Sequence, residues 1–444
     1  MDHAPHILLV NPWIHDFAAY DFWAKPMGLL LLGGLLRRHD VRISYVDCLD
    51  RFHQKSRLKD DKKRCGRGPY RKTPIAKPAG FADIPRTYSR YGIKPSWFLE
   101  DMNRIPRPDL ILVTSLMTYW HTGVNETIRM IKSAFPDVPV VLGGVYTTLC
   151  EEHARRNSGA DAVIPGSGVH MLFDLVDAFT GYTPAVTFDP DDPDTFPKPA
   201  FDLQTRIAYI PLMTSFGCPF NCAYCASRFL NPKLMRRSPE NVCDEIMYWH
   251  RKHDVVDFVF YDDALLVNPD DHIVPLLESV IRSDIRVRFH TPNALHIAGI
   301  TREIADLMAA AGFHTIRLGL ETGSFGAGNL DAKVTQSEFL QAAFNLRSAG
   351  FRKDQVGAYL LAGLPGQSLK EIQDAVLLVK SQGLTPVLAY YTPIPHTALW
   401  EKAVASSRYD IESDPVFTNN SVFPCRKDSF SWDELRKLKK LCSA

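Results

Sequence analysis

The chain has 444 residues, 45% apolar and 23% charged, an ordinary balance for a soluble globular protein of two or three domains with a real core. Lys and Arg number 51 against 50 Asp and Glu, which excludes a general electrostatic pull towards nucleic acid or an anionic membrane. The longest strongly apolar stretch, around Gly28 to Leu36, is about half the ~20 residues of a membrane span, and no secretory signal pattern follows Met1, so a cytoplasmic protein is expected.

Taken in chain order, Ile7-Leu8-Leu9-Val10 is a continuous apolar run ending at Asn11-Pro12, the pattern of a buried parallel strand meeting a loop. A helix over 27–38 and a strand over 41–46 follow; then come a strand over 109–115, a helix over 124–135, a strand over 138–142 closed by Gly143-Gly144, a helix over 151–157 and a strand over 162–164. This rhythm predicts an α/β first domain over 1–182, a doubly wound parallel sheet of the Rossmann type. Its ligand is expected beyond the carboxyl ends of the strands, at loops 11–26, 115–123, 143–149 and 165–169.

Residues 51–97 break the rhythm. They are basic (Lys59, Lys62, Lys63, Arg64, Arg67, Arg71, Lys72, Lys77, Arg86, Arg90) and show neither helical nor strand period. They read as an inserted loop or lid, either a solvated excursion or a clamp on an anionic group. Residues 183–206, punctuated by Asp189-Pro190-Asp191-Asp192-Pro193-Asp194, read as a linker.

From 207 to 400 strands over 209–215, 256–261, 286–290, 314–320, 355–361 and 386–391 alternate with helices over 239–252, 270–282, 301–311, 335–349 and 368–382. Six units are too few to close an eightfold barrel, so a partial (β/α)6 barrel of the TIM type is expected, with chemistry at the carboxyl ends of its strands. The tail, 401–444, with a basic helix over 432–440, reads as a packing appendage.

The nine cysteines are scattered and odd in number, unlike a disulfide scaffold, and three of them stand at ligand spacing: Cys218-Pro219-Phe220-Asn221-Cys222-Ala223-Tyr224-Cys225. Three thiolates on a loop at a strand end can converge on one soft metal centre. Zinc would recruit a fourth ligand nearby, and no His or Cys follows until Cys243. Three buried cysteines, or a zinc site with one remote ligand, are the bland alternatives.

Cys-x3-Cys-x2-Cys with an aromatic before the last cysteine resembles the signature of the radical S-adenosylmethionine superfamily. The resemblance implies a [4Fe-4S] cluster on Cys218, Cys222 and Cys225. Its fourth iron would be chelated by S-adenosyl-L-methionine, which is cleaved reductively to methionine and a 5′-deoxyadenosyl radical. By the same resemblance Tyr224 would lie against the adenine, and Asp262 or Asp263, ending the second barrel strand, would hold the methionine amino group. Glu321 and Ser324, after Gly319-Leu320, would contact ribose and carboxylate, and the turn Gly363-Leu364-Pro365-Gly366 would let the backbone approach the nucleoside. Each segment also has an ordinary reading, as a helix N-cap or a strand-to-helix turn.

Ahead of the barrel, the segment from Pro26 to Leu36 and the turn Val140-Val141-Leu142-Gly143-Gly144-Val145-Tyr146 resemble the cobalamin-binding domain of many of these proteins. Asp-x-His-x-x-Gly, the usual source of a lower axial histidine, does not occur, and Gly166-Ser167-Gly168-Val169 departs from the Gly-Glu-Gly-Glu of many relatives. If cobalamin binds, Tyr119 and Trp120 would approach its lower face and Gly143 and Gly144 its nucleotide tail. His121 is then either an axial ligand or a hydrogen-bonded histidine.

The resemblance implies an enzyme that acts on a small molecule with an electron donor such as flavodoxin or ferredoxin. In methylating relatives one S-adenosylmethionine supplies methyl to cobalamin and a second supplies the radical that activates an unreactive carbon. Rivals are a radical enzyme with a vestigial cobalamin domain, performing rearrangement, cyclisation or oxidation, and a methylthiotransferase with a second cluster on Cys48, Cys65 and Cys150. A third is a zinc or iron–sulfur module that binds nucleic acid through the basic insert, where Tyr70, Tyr88, Tyr91 and Trp97 interleave with the charges. His290, Asn293, His296, Tyr390, Tyr391 and His396 stand at or beyond barrel strand ends, where they either face a substrate or serve as core or capping residues.

Overall fold

The computed structural model describes residues 4–56, 64–325, 334–426 and 431–443; Lys59, Lys62 and Lys63 of the basic insert lie outside the described residues. The chain divides into two units, Met1–Ala208 with Ile411–Thr418, and Tyr209–Asp410 with Asn419–Ala444.

In unit 1, β1 (His6–Asn11), β2 (Ile14–Asp16), β3 (Tyr20–Asp21), α1 (Met27–Arg38) and β4 (Arg42–Asp47) are followed by β5 (Gly68–Pro69), β6 (Lys72–Pro74), β7 (Ser89–Tyr91) and α2 (Pro95–Arg104). Then come β8 (Leu110–Val113), α3 (His121–Ala134), β9 (Val140–Leu142), α4 (Val145–Leu149), α5 (Glu151–Asn157), β10 (Ala162–Val163) and α6 (Gly168–Thr180). The main sheet is parallel in the order β10-β9-β8-β1-β4. Connections diverge on either side of β1, and a sheet of this order receives its ligand between the carboxyl ends of β1 and β8. The apolar run of β1 serves both faces. Leu8 and Val10 join Ile111, Val113, Ile128 and Tyr146 in one core, while Ile7 and Leu9 join Leu29, Leu35, Leu36 and Leu172 in the other.

Both irregular segments of this unit differ from their sequence reading. The described part of the insert is not a loop: β7 pairs antiparallel with β2 and β6, and β5 pairs with β3. Strands of two or three residues are too short to display a period. The charges are engaged within the unit. Buried Arg51 reaches Asp21 at 3.2 Å and donates to the Gly66 carbonyl, and Arg67 and Arg71 lie over the rings of Trp23 and Trp97. Tyr70, Tyr88 and Tyr91 are buried, so these aromatics are core residues and offer no stacking surface to bases. Segment 183–206 is not a free linker either. Phe188, Phe196 and Leu203 pack on the α1 face of the sheet, and the Ala200 N–H donates to the Leu30 carbonyl at 2.8 Å. Three apolar anchors without a period are enough to fasten it.

Arg90 of β7 donates to the carboxylate of Glu126 on α3 (Nε to Oε2, 2.8 Å), and His15 Nε2 of β2 stands 2.8 Å from the same oxygen. Burial raises the Glu126 carboxyl, and the bonds from His15 and Arg90 outweigh it and hold the group down to about 2 from an ordinary 4.5. A depressed carboxylate stabilises the fold above its unfolded pKa and loses that contribution as pH falls through the folded value. Glu126→Gln is therefore expected to cost about 2–3 kcal/mol at neutral pH. The difference from the parent should shrink between pH 4.5 and 2 in denaturant titrations; an unchanged gap at acid pH would refute this.

Unit 2 opens with β11 (Ile210–Leu212), β12 (Ser215–Phe216), α7 (Ser227–Leu230), β13 (Met235–Arg236), α8 (Pro239–His253) and β14 (Asp257–Phe260). It continues with α9 (Ile273–Arg282), β15 (Arg288–His290), α10 (Arg302–Ala311), β16 (Phe313–Glu321), α11 (Gln336–Ser348), β17 (Val356–Ala362), α12 (Leu369–Ser381), β18 (Thr385–Tyr390), α13 (Trp400–Ser406) and α14 (Trp432–Ser443). Six strands, β11-β14-β15-β16-β17-β18, run parallel in sequence order, the arrangement of a partial (β/α)6 barrel. Local chemistry fixes the helix starts. Ser238 caps α8 ahead of Pro239, and capping boxes at Thr335/Glu338 and Ser368/Glu371 open α11 and α12. Phe258, Phe260, Phe289 and Phe313 pack ring to ring across three neighbouring strands of the sheet.

The tail 401–444 divides. Residues 411–418 belong to unit 1, whereas Leu435 and Leu438 of α14 pack with Ala362, Ile372 and Phe423 in unit 2. No described helix is long and apolar enough to cross a membrane.

Candidate active site at the cysteine loop

The loop after β11 is shaped by its own backbone and one carboxylate. β12 and β13 pair antiparallel, and Gly217 turns the chain at φ +84, where a Cβ would meet the Lys233 carbonyl oxygen at 2.4 Å. Only glycine fits there. Asp262, just beyond β14 and 4% exposed, accepts from N and Oγ1 of Thr214 (3.1 and 2.6 Å) and from N and Oγ of Ser215 (2.6 and 2.7 Å). Behind it, His272 Nε2 stands 2.7 Å from the Thr214 hydroxyl. Burial pushes the Asp262 carboxyl up while these bonds pull it back, and burial, then Arg236, holds the His272 imidazole down to about 4. Asp262 is thus a fastening of the strand that delivers the cysteines.

Cys218, Cys222 and Cys225 open on a cleft of about 320 Å³ that Tyr224, Asp263 and Glu321 also line, as do Asn293 and His296 of the loop after β15. Six residues anticipated as cofactor site therefore meet in one place. Ser227, which the sequence reading did not single out, lines it too: Cys225 Sγ donates to Ser227 Oγ (3.2 Å) and accepts from the Ser227 N–H (3.4 Å). Its signal was its position two residues past the last cysteine, at the start of α7. Asp263 is the cleft carboxylate of the Asp262-Asp263 pair; burial pushes it up and a hydrogen bond with Ser227 pulls it back. Glu321 ends β16 at φ +63, where the register with β17 slips. A positive φ at a non-glycine residue stores about 1–3 kcal/mol of strain, typical of functional sites.

The donor set decides what the cleft fits. Among the described residues, the trios of ligand atoms lying within 4.8 Å of one another do not include these three sulfurs. A single zinc ion, with sulfur about 2.3 Å away, needs thiolates closer than that. Thiolates spaced around the corners of a four-iron cluster do not. None of the nine cysteines forms a disulfide. A larger cavity of about 380 Å³ in unit 1, at β4, is lined by Lys25, Asp47, Asp50, His53 and Arg104 among others, without a thiol, so size does not locate the chemistry.

Other anticipated residues are placed differently. At Gly363 the room a Cβ would take is filled by the Phe423 ring at 2.8 Å, and the N–H groups of Gly363 and Leu364 donate to Gln367 Oε1, so this turn is closed on itself. Neither Gly363 nor Pro365 lines the cleft. Ser324 is exposed beside residues 326–333, which lie outside the described residues. His290 is fully buried between Asp257 (2.9 Å) and Thr315 (3.1 Å), Tyr391 is buried, His396 stacks on Phe229 and Tyr390 packs on Phe423; of that group only Asn293 and His296, the latter stacked on Phe220, line the cleft.

In unit 1, Gly144 follows β9 at φ +103, where a Cβ would strike the Ser115 carbonyl oxygen at 2.2 Å, and Ser115 Oγ donates to the Gly143 carbonyl. The loops after β8 and β9 are thereby locked together. Tyr119 is buried, and Trp120 Nε1 donates to Asp16 at 2.7 Å, because the helical turn leading into α3 tucks both rings inward. The open side chains at the β1/β8 switch point are Leu116 and Met117, 47% and 40% exposed. His121 is buried, with Nε2 2.8 Å from Asp414 Oδ1. Cys48 and Cys65 are buried and Cys150 sits at the α4–α5 junction, without the mutual approach of a ligand trio.

Two family models match the chain: the B12 binding domain over residues 93–176 and the radical SAM superfamily over residues 212–379. The chain is similar to an uncharacterized methyltransferase of Pyrococcus horikoshii, 24% identical over 329 residues, covering 68% of this chain and 70% of the relative. It is also similar to the cytidylyl-2-hydroxyethylphosphonate methyltransferase of Streptomyces wedmorensis, 19% identical over 91% of this chain and 83% of that protein. The anaerobic magnesium-protoporphyrin IX monomethyl ester cyclase of Rubrivivax gelatinosus is 22% identical over 67% of this chain and 58% of its own length. In fold it matches the radical S-adenosylmethionine methyltransferase TsrM of Kitasatospora setae, solved with cobalamin and a [4Fe-4S] cluster bound, with a TM-score of 0.65, 17% identity and coverage of 92% of this chain and 76% of that one. With a B12 binding domain matched in unit 1 and a radical SAM superfamily domain matched over the cysteine-bearing partial barrel of unit 2, the chain carries the domain pair of the radical S-adenosylmethionine proteins that place a cobalamin-binding domain ahead of the radical domain.

Proposed function

We propose that this enzyme is a cobalamin-dependent radical S-adenosylmethionine methyltransferase acting on an unactivated carbon of a small molecule. The observation that carries the reading is the meeting of Cys218, Cys222 and Cys225 with Asp263 and Glu321 in one cleft. When bound, a [4Fe-4S] cluster supplies the electron that splits the sulfonium, and cobalamin supplies methyl transfer. The protein's own groups do the positioning. Asp263 takes the methionine ammonium, Tyr224 lies on the adenine, Glu321 meets the ribose, and Ser227 steadies the Cys225 sulfur. Leu116 and Met117 give a macrocycle an apolar seat at the switch point, with the His121 imidazole turned to Asp414. Asn293 and His296 face the substrate. Reducing equivalents come from a donor such as flavodoxin or ferredoxin, in the cytoplasm, where the clustered thiols stay reduced.

A second reading, radical cyclisation or oxidation without methyl transfer, is favoured by the cyclases among the relatives. Anaerobic reconstitution with iron, sulfide and hydroxocobalamin, followed by turnover of S-adenosylmethionine labelled in its methyl group, separates the two. Retained corrinoid absorbance and label in the product support methylation. Unlabelled product from protein that keeps no corrinoid overturns it.

A further inference from the structure

In unit 1, a partly buried cluster joins the start of α3, helix α5 and the distant segment Ile411–Thr418. One ligand atom each from His121, His153 and Asp414 lies within 4.8 Å of the others. We infer that these three residues form a site for a divalent first-row transition ion, with two imidazoles and one carboxylate as ligands. The inference is independent of the proposed function.

Three features distinguish the cluster from a closed hydrogen-bond network. His121 Nε2 stands 2.8 Å from Asp414 Oδ1, but its other nitrogen, Nδ1, is buried with no hydrogen-bond partner among the described residues, and the residue is only 4% exposed. A partnerless buried polar nitrogen costs about 1–3 kcal/mol, so the bond to Asp414 alone leaves this imidazole incompletely satisfied. Second, His153 Nε2 faces the same Asp414 oxygen at 3.9 Å. That is too long for a hydrogen bond, yet an ion about 2.0–2.2 Å from each atom bridges such a gap with a small closure. Third, the far nitrogen of His153, Nδ1, is 2.7 Å from the Tyr146 hydroxyl. Metal-bound histidines are oriented through their second nitrogen in this way, and here the bond aims Nε2 at Asp414.

Two imidazoles and a carboxylate suit Zn²⁺ or Fe²⁺. The Asp414 side chain, 38% exposed, gives an entry path and an open position for water. A bound ion would clamp the 411–418 segment onto the start of α3 and onto α5, all within unit 1.

The test uses the full chain with its iron–sulfur cluster reconstituted, so that Cys218, Cys222 and Cys225 are occupied. After anaerobic dialysis it is offered Zn²⁺ or Fe²⁺ separately and assayed for metal beyond the cluster iron; Co²⁺ reports ligand geometry by its visible spectrum. One equivalent is expected in the parent, with binding at least about 10-fold weaker in H153A and D414N, and about 10-fold weaker in Tyr146→Phe. Should H153A or D414N not fold, a rise in the parent's unfolding temperature on adding Zn²⁺ or Fe²⁺ serves instead. Binding by folded variants equal to that of the parent, or no equivalent bound and no thermal shift in the parent, overturns the site.

Discussion

Alanine in place of Cys218, Cys222 or Cys225 is expected to reduce S-adenosylmethionine turnover on the order of 10³-fold or more, the scale at which removing one member of a catalytic unit acts. Visible absorbance of the reconstituted cluster should fall with it, while retained hydroxocobalamin should not, because the thiols and the B12-binding domain belong to different units. The variants are expected to fold. Cys225 is exposed and Cys218 half-buried, and the loop is held by Gly217, by the Asp262 bonds and by the Leu399 N–H donating to the Ala223 carbonyl, none of which uses sulfur. Turnover within a few-fold of the parent in any of the three would remove the basis of the proposed function.

The second large effect separates two adjacent carboxylates. Asp262→Ala leaves four donors on Thr214 and Ser215 without their acceptor inside a buried network, and a loss of about 3–5 kcal/mol in unfolding free energy is expected. Asp263→Ala removes one hydrogen bond, with Ser227. It should change stability by under about 1 kcal/mol but weaken S-adenosylmethionine binding about 10- to 100-fold. Burial raises the Asp263 carboxyl. Since only the ionised form attracts an ammonium, binding in the parent should begin to fail on acidification at a higher pH than an ordinary carboxylate would give, and D263A should lose that dependence. Equal destabilisation by the two alanines, measured by denaturant titration beside calorimetric binding, would contradict the assignment.

The motif Phe260-Tyr261-Asp262-Asp263 could not itself divide those roles. Its spacing places two carboxylates beyond a strand end. Which one turns inward depends on Thr214 and Ser215, both remote in sequence, and on His272 behind them. His290 failed as a substrate residue for the same reason, because Asp257 and Thr315 on flanking strands close around it. Gly363 failed because a ring from residue 423 occupies the space in front of it. The insert and the linker were illegible because strands of two or three residues and isolated aromatic anchors carry no period.

By itself the sequence determined both parallel sheets, their helices and the cysteine trio, since continuous apolar runs, capping residues and ligand spacing are local signals that survive any tertiary context. Only the tertiary structure decided that Asp263 and not Asp262 meets the cleft, that Leu116 and Met117 rather than Tyr119 and Trp120 stand open at the switch point, and that residues 411–418 return to unit 1 to meet His121. Those outcomes depend on which remote partner satisfies each buried polar group or fills each space, and that information lies in contacts between distant positions.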